Sequence, residues 1–202
     1  IIKQYDVVAV SESKLSDADE VNIDGYVAFY KNRDKYKSRS GGLLLLVKEN
    51  IASSVVIFES KCNKNRFDGA NVNNYCFVDN DLCENVLFFK FSGDSVLLDV
   101  LFGVVYIPPE GSPFENKDAF SDIEESLLSI DHSHVCLLGD LNARTGSLNN
   151  RVAVVDNDDL FDMPFDNDHE DNFDNSSIII RTSNDTVTNN YGYKMIDFCR
   201  IA

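Results

Sequence analysis

Short apolar runs broken by turn residues set what this 202-residue chain can fold into. None is longer than the five residues Leu43–Val47. A bilayer span needs about 20 apolar residues, so the runs are strands rather than membrane helices, and we expect no membrane partner. Val7–Val10, Tyr26–Tyr30, Leu43–Val47, Ser53–Phe58 and Val135–Leu138 read as strands, the first of them a buried one. Val86–Phe91 and Val96–Ile107 flank Ser92-Gly93-Asp94-Ser95, the pattern of a hairpin with glycine in its turn. Gly41-Gly42 opens the Leu43 strand, and we read both glycines as structural. Hydrophobic residues make up 44%, enough for one ordinary domain with a sizeable core.

Helices are few. Ser112-Pro113-Phe114-Glu115 has capping-box spacing with proline at the first helical position, and Phe120, Ile123, Leu127 and Ile130 recur at helical spacing after it. A second helix is expected over Tyr193–Arg200, where Met195, Ile196 and Cys199 share a face. Residues 156–174 hold nine acids in nineteen positions without periodicity and read as an acidic loop. No linker or repeat divides the chain, so strands interleaved with helices argue for a layered α/β fold in a single domain, 1–202.

The formal net charge is −16, unevenly spread. Residues 1–50 balance eight basic groups against eight acidic ones, whereas 51–150 carry a net −9 and 151–202 a net −7. The one basic cluster is Lys31, Arg33, Lys35, Lys37 and Arg39, beside Tyr30 and Tyr36. That is a local phosphate contact or a solvated loop, and the chain as a whole lacks the basic footprint of a nucleic-acid binder. Five cysteines at irregular spacing form no C-x-x-C pair, which argues against a zinc site and for reduced thiols; Cys136 reads as a buried small hydrophobe. No signal-peptide pattern opens the sequence, and we expect an intracellular protein, with the nucleus as one compartment.

The sharpest chemical feature is Leu137-Leu138-Gly139-Asp140-Leu141-Asn142-Ala143-Arg144. An apolar strand ends on a carboxylate, with an amide two residues on. In an extended chain that spacing puts both side chains on one side. Such a pair suits orienting water, holding Mg²⁺ and hydrogen-bonding a phosphate oxygen; the plainer reading is a turn that ends a strand. Val10-Ser11-Glu12-Ser13-Lys14 also carries a carboxylate at a strand tip, and α/β sheets assemble sites from such tips.

Four segments together resemble the endonuclease/exonuclease/phosphatase superfamily of Mg²⁺-dependent phosphoesterases. They are Asp6–Lys14, Ser40–Val47, Gly103–Pro109 and Leu138–Gly146, in matching order and spacing. The tail Arg181–Asp185, followed by Asn189–Cys199, is most similar to the endonuclease domains of LINE-type retrotransposons.

The resemblance implies a four-layer α/β sandwich, two packed mixed sheets flanked by helices. It implies Mg²⁺ or Mn²⁺ as cofactor, DNA as partner and a reverse transcriptase further along the parent chain. Glu12 matches the metal-binding glutamate, Asp140 the aspartate that orients or deprotonates the attacking water, and Asn142 the asparagine that holds the scissile phosphate. Tyr106 matches a tyrosine whose hydroxyl contacts phosphate, against the plain reading of a core aromatic in a strand. Arg144 is a phosphate contact or an ion-pair partner. The family's first-strand asparagine and its late Asp-His pair have no match, so we expect an incomplete sandwich lacking its first and C-terminal strands, and a slow enzyme. His132, His134 and His169 lack the Asp-His context and read as surface or pre-strand residues. A phosphoinositide or other small-phosphoester phosphatase of the same fold, and a non-catalytic remnant, are the competing functions.

Overall fold

The computed structural model describes residues 2–16, 18–33, 40–61, 74–93, 99–146, 148 and 185–201. The acidic stretch 156–174, Cys62, His169, Asp94-Ser95 of the hairpin turn, and Lys35, Lys37 and Arg39 of the basic cluster lie outside them. Two compact units are distinguished, Ile1–Ala143 and Arg144–Ala202.

The first unit is an α/β structure with two sheets. A three-stranded antiparallel sheet has the order β1-β3-β2, from β1 (Val7–Ser11), β2 (Tyr26–Lys31) and β3 (Leu43–Lys48). A mixed five-stranded sheet has the order β5-β4-β6-β7-β8, from β4 (Val55–Ser60), β5 (Tyr75–Val78), β6 (Val86–Phe91), β7 (Val100–Tyr106) and β8 (His134–Asp140). Three central strands explain the sequence pattern: β3, β6 and β7 have neighbours on both sides and bury both faces, so they read as unbroken apolar runs. The strand pairing expected of the hairpin is met, with β6 and β7 antiparallel and Val86 opposite Val105.

The sheets pack face to face. Leu43, Leu45 and Val47 of β3 and Phe29 of β2 share one core with Ile57, Leu87, Phe89, Val104 and Tyr106 of the second sheet. The alternate residues Leu44 and Leu46 point the other way, into a smaller cluster with Tyr26, Val8, Val10, Leu15, Val21 and Ile23. That outer face is therefore covered, among the described residues, by the loop after β1 rather than by a helix. On the second sheet, Val86, Phe88, Leu101 and Val105 on the face away from the shared core are fully buried. Burying one such leucine or phenylalanine contributes about 1.5–3 kcal/mol.

Three helices are described: α1 (Glu49–Ala52), α2 (Ala119–Leu128) and α3 (Asn190–Ile201). Helix α2 buries Ala119, Phe120, Ile123 and Leu127, the periodic residues of the sequence. Its start differs from the expected one. Ser112–Glu115 forms a turn, with Glu115 N–H donating to Ser112 O at 3.1 Å and Gly111 N–H to Glu115 Oε2 at 3.2 Å. The capping-box residues satisfy that turn instead of a helix. Asn116 prepares the true start: its Oδ1 accepts from Asp118 N–H at 3.0 Å and its Nδ2 donates to Asp122 Oδ2 at 2.8 Å. Ser126 Oγ accepts from Cys83 N–H at 2.8 Å, which fastens α2 to the loop before β6.

In the second unit, Asn189 caps α3, its Oδ1 accepting from Gly192 N–H at 2.8 Å. The helix begins three residues before the expected Tyr193 because the cap lies at Asn189. Gly192 is required there, since a Cβ would lie 2.1 Å from the Arg144 carbonyl oxygen. Among the described residues no helix is long and apolar enough to cross a membrane. Cys76, Cys83, Cys136 and Cys199 are free thiols. Cys136, expected to be buried, is only half-buried because β8 is an edge strand.

Candidate functional site

The site of the first unit is assembled at strand ends. Glu12 follows the last residue of β1 and has φ +55°, a left-handed backbone that turns its side chain off the strand line. The turn is clamped from β3's approach: Ser13 N–H donates to Gly42 O at 3.0 Å and Lys14 N–H to Gly41 O at 2.8 Å. Gly41 and Gly42 have φ +69° and +85°, and a Cβ on Gly42 would lie 2.7 Å from Ser13 Oγ. The two glycines are thus structural, as expected, and what they support is the segment that carries Glu12.

Tyr106 is the last residue of β7 and crosses the interior to meet this segment. Its hydroxyl donates to Glu12 Oε1 at 2.6 Å. Burial, then that hydrogen bond and the negative charges of Glu12 and Asp140, raise the phenol well above the usual tyrosine range; Arg33 opposes them. The phenol therefore stays protonated and acts as a donor.

Asp140 is brought to the same place by strand register. β7 and β8 are parallel, with Tyr106 paired to Asp140, and Ile107 N–H donates to Asp140 O at 2.9 Å. The approach depends on Gly139, whose φ is +145° and where a Cβ would lie 2.0 Å from Val105 O. Asp140 and Asn142 do not lie on an extended chain, as the spacing suggested. β8 stops at Asp140, Asp140 Oδ1 accepts from Asn142 N–H at 2.9 Å, and Asn142 takes φ +49°. The turn reading is correct for the backbone, yet this turn still anchors the amide beside the carboxylate: Asn142 Nδ2 donates to Ile107 O at 2.8 Å, from the residue after Tyr106.

Four of the five expected residues, Glu12, Tyr106, Asp140 and Asn142, are thus linked through Tyr106 and Ile107. The fifth, Arg144, belongs to the second unit and forms a two-pronged pair there, Nε and Nη2 each donating at 2.8 Å to Asp185. That pairing favours its ion-pair reading. His132 Nδ1 lies 2.6 Å from Ile130 O before β8, and His134 is exposed at the start of β8; both are where a pre-strand or surface histidine was expected.

Two further residues border the site: Arg33, expected in the basic cluster as a phosphate contact or part of a solvated loop and instead buried, and Asn85, which carried no signal in the sequence. Arg33, noticed only as one member of a basic cluster, is buried with its side chain 3% exposed, and its Nη2 lies 3.7 Å from Glu84 Oε1. A Cβ on Gly41 would lie 2.5 Å from Arg33 Cδ and 3.3 Å from Tyr106 Cε1, so guanidinium stem and phenol ring flank the same glycine. Asn85, 1% exposed, bonds the backbone of Tyr106.

Glu12 and Asp140 supply exposed carboxylate oxygens around one phenol, the donor chemistry of a hard divalent cation. Among the described residues no group of three or more His, Cys, Asp or Glu converges. The set fits an ion such as Mg²⁺, which keeps several waters and needs only one or two carboxylates. Scanned against protein families, residues 1–193 match the Endonuclease/Exonuclease/phosphatase family. No curated protein matches the chain.

Proposed function

Because the chain belongs to the endonuclease/exonuclease/phosphatase family, whose members hydrolyse phosphoester bonds, we propose that it is a Mg²⁺-dependent DNA endonuclease of the retroelement type. The observation that carries this reading is the linkage of Glu12, Tyr106, Asp140 and Asn142 at the ends of β1, β7 and β8. The matched span, 1–193, covers the first compact unit and most of the second, which supports treating 1–202 as one domain. Similarity of the Arg181–Asp185 and Asn189–Cys199 segments to LINE-type endonuclease domains supports DNA as the substrate and a reverse transcriptase as a neighbour in the parent chain.

Glu12 is the residue that would hold Mg²⁺, which when bound would neutralise charge on the phosphate and on the leaving oxygen. Tyr106 holds Glu12 through its hydroxyl and, staying protonated, adds no charge of its own. Asp140 orients water at the exposed end of β8 and takes its proton as the water attacks phosphorus in line with the leaving oxygen. Asn142, fixed at Ile107, holds the scissile phosphate on the same turn.

Nicking of supercoiled plasmid, at enzyme in excess over DNA so that slow turnover is seen, tests the reading. We expect nicking with Mg²⁺, none with chelator, and none for Asp140→Ala. A folded protein that leaves plasmid intact under Mg²⁺ or Mn²⁺ sinks the endonuclease assignment. Release of phosphate from a phosphoinositide in the same series would then identify the phosphatase.

A further inference from the structure

Tyr106 is gripped from an unexpected quarter. The loop before β6, Cys83-Glu84-Asn85, makes two hydrogen bonds to its backbone: Tyr106 N–H donates to Asn85 O at 3.0 Å, and Asn85 Nδ2 donates to Tyr106 O at 2.9 Å. Any residue at position 85 could supply the first bond. Only an amide side chain of this length supplies the second, and it does so inside the protein, where an unmet carbonyl would be costly.

The loop is itself braced. Lys31 Nζ donates to Cys83 O at 2.9 Å and to Val86 O at 3.1 Å, capping carbonyls on both sides of Asn85. Arg33, two residues on, faces Glu84 from its buried position beside Gly41 and the Tyr106 ring. Cations from the end of β2 thus fix the loop, and the loop fixes Tyr106 at the last position of β7, where strand pairing ends and the backbone would otherwise be least constrained. The same residue's hydroxyl then meets Glu12, and its neighbour Ile107 anchors Asn142 and Asp140.

We propose that Asn85 is a positioning residue: its side-chain amide sets the backbone of Tyr106 so that the Tyr106 hydroxyl holds Glu12. Its mechanistic consequence rests on the hydrolase reading above, but the placement of Tyr106 does not. Removing a supporting contact of this kind costs roughly 10- to 100-fold in activity.

The test uses Asn85→Asp, which keeps the shape and loses the donor, with Asn85→Ser as a smaller second variant. Tyrosine labelled with ¹³C at Cζ reports the Tyr106 phenol, assigned by loss of its resonance in Tyr106→Phe. We expect the Tyr106 resonance to move in the Asn85 variants while other tyrosines stay in place. We also expect kcat to fall roughly 10- to 100-fold with KM little changed. In a Tyr106→Phe background, the Asn85 change should cost no further activity, since it acts only through that hydroxyl. An unmoved resonance in a folded variant overturns the proposal. So does an equal loss of activity in both backgrounds, or failure of both variants to fold, either of which marks Asn85 as merely structural. If the protein hydrolyses no phosphoester, the resonance alone decides, and Asn85 can stand while the hydrolase reading falls.

Discussion

The hydroxyl of Tyr106 donates to Glu12 Oε1 across 2.6 Å, joining two residues 94 positions apart in the chain. One comes from the end of β7 in the five-stranded sheet and the other from just past β1 in the three-stranded sheet. The bond therefore fixes the two sheets to each other at the end where the carboxylates collect. Holding a carboxylate through a buried neutral donor keeps its orientation without adding a charge that competes with it.

Tyr106→Phe removes this bond and little else. We expect activity to fall roughly 10- to 100-fold, as for loss of an outer-shell partner, and stability to drop by about 1 kcal/mol. Plasmid nicking and a denaturant melt measure the two. In the parent protein, ultraviolet titration should show two tyrosines ionising above the ordinary range, Tyr106 and the buried Tyr75, and only the Tyr106 step should vanish in the variant. The raised value means the bond supports the fold below the ordinary tyrosine range and is lost as pH climbs beyond it.

Asp140→Asn separates chemistry from folding. The asparagine side chain still offers an oxygen to Asn142 N–H, so the turn survives and the melting temperature should stay close to the parent's. Loss of the proton acceptor should lower the cleavage rate by about 10²–10⁴-fold. A variant that retains parental rates would remove Asp140 from the reaction.

Gly139→Ala should fail for a steric reason. Its φ of +145° is reached by glycine alone, and a Cβ would press on Val105 O at 2.0 Å. We expect a loss of about 2 kcal/mol or more, measured by chemical denaturation, because β7 and β8 must separate. Activity should fall with it, since that register delivers Asp140 to Tyr106.

In the second unit, Arg144 holds the Asp185 carboxyl down at about 2, helped by the Val187 N–H. A carboxyl lowered on folding supports the fold above its unfolded range near 4, and the support fades as pH falls toward 2. A carbon-13 titration of Asp185 should show this, and Arg144→Ala should move its midpoint up toward the ordinary carboxylate range, the Val187 N–H still holding part of the shift. An unchanged midpoint would place the cause elsewhere.

Much of the architecture was legible in the sequence. Strands β3, β6 and β7 are interior to their sheets, so burial on both faces writes itself as continuous apolar runs. Glu12, Asp140 and Asn142 were legible because strand tips ending in polar residues are local patterns, and the family resemblance gave them roles. β5 was missed: it is a four-residue edge strand, only partly buried, which leaves too short and too mixed a pattern to read. The start of α2 was misplaced because one set of capping residues can close a turn as well as a helix.

By itself the sequence determined the period and bounds of most strands, the α/β class and the chemical types available to the site, since these depend on neighbours within a few residues. Tertiary structure decided which of those residues meet. The register of β8 on β7 sets Asp140 beside Tyr106, and face-to-face sheet packing sets Tyr106 on Glu12. The loop at Asn85 and the buried Arg33 are joined to them through the contacts of Lys31 with Cys83 and of Arg33 with Glu84, which tie the β2 end to the loop before β6. Those contacts span tens of residues, so no local pattern encodes them; they follow from burial and hydrogen-bond satisfaction over the whole unit.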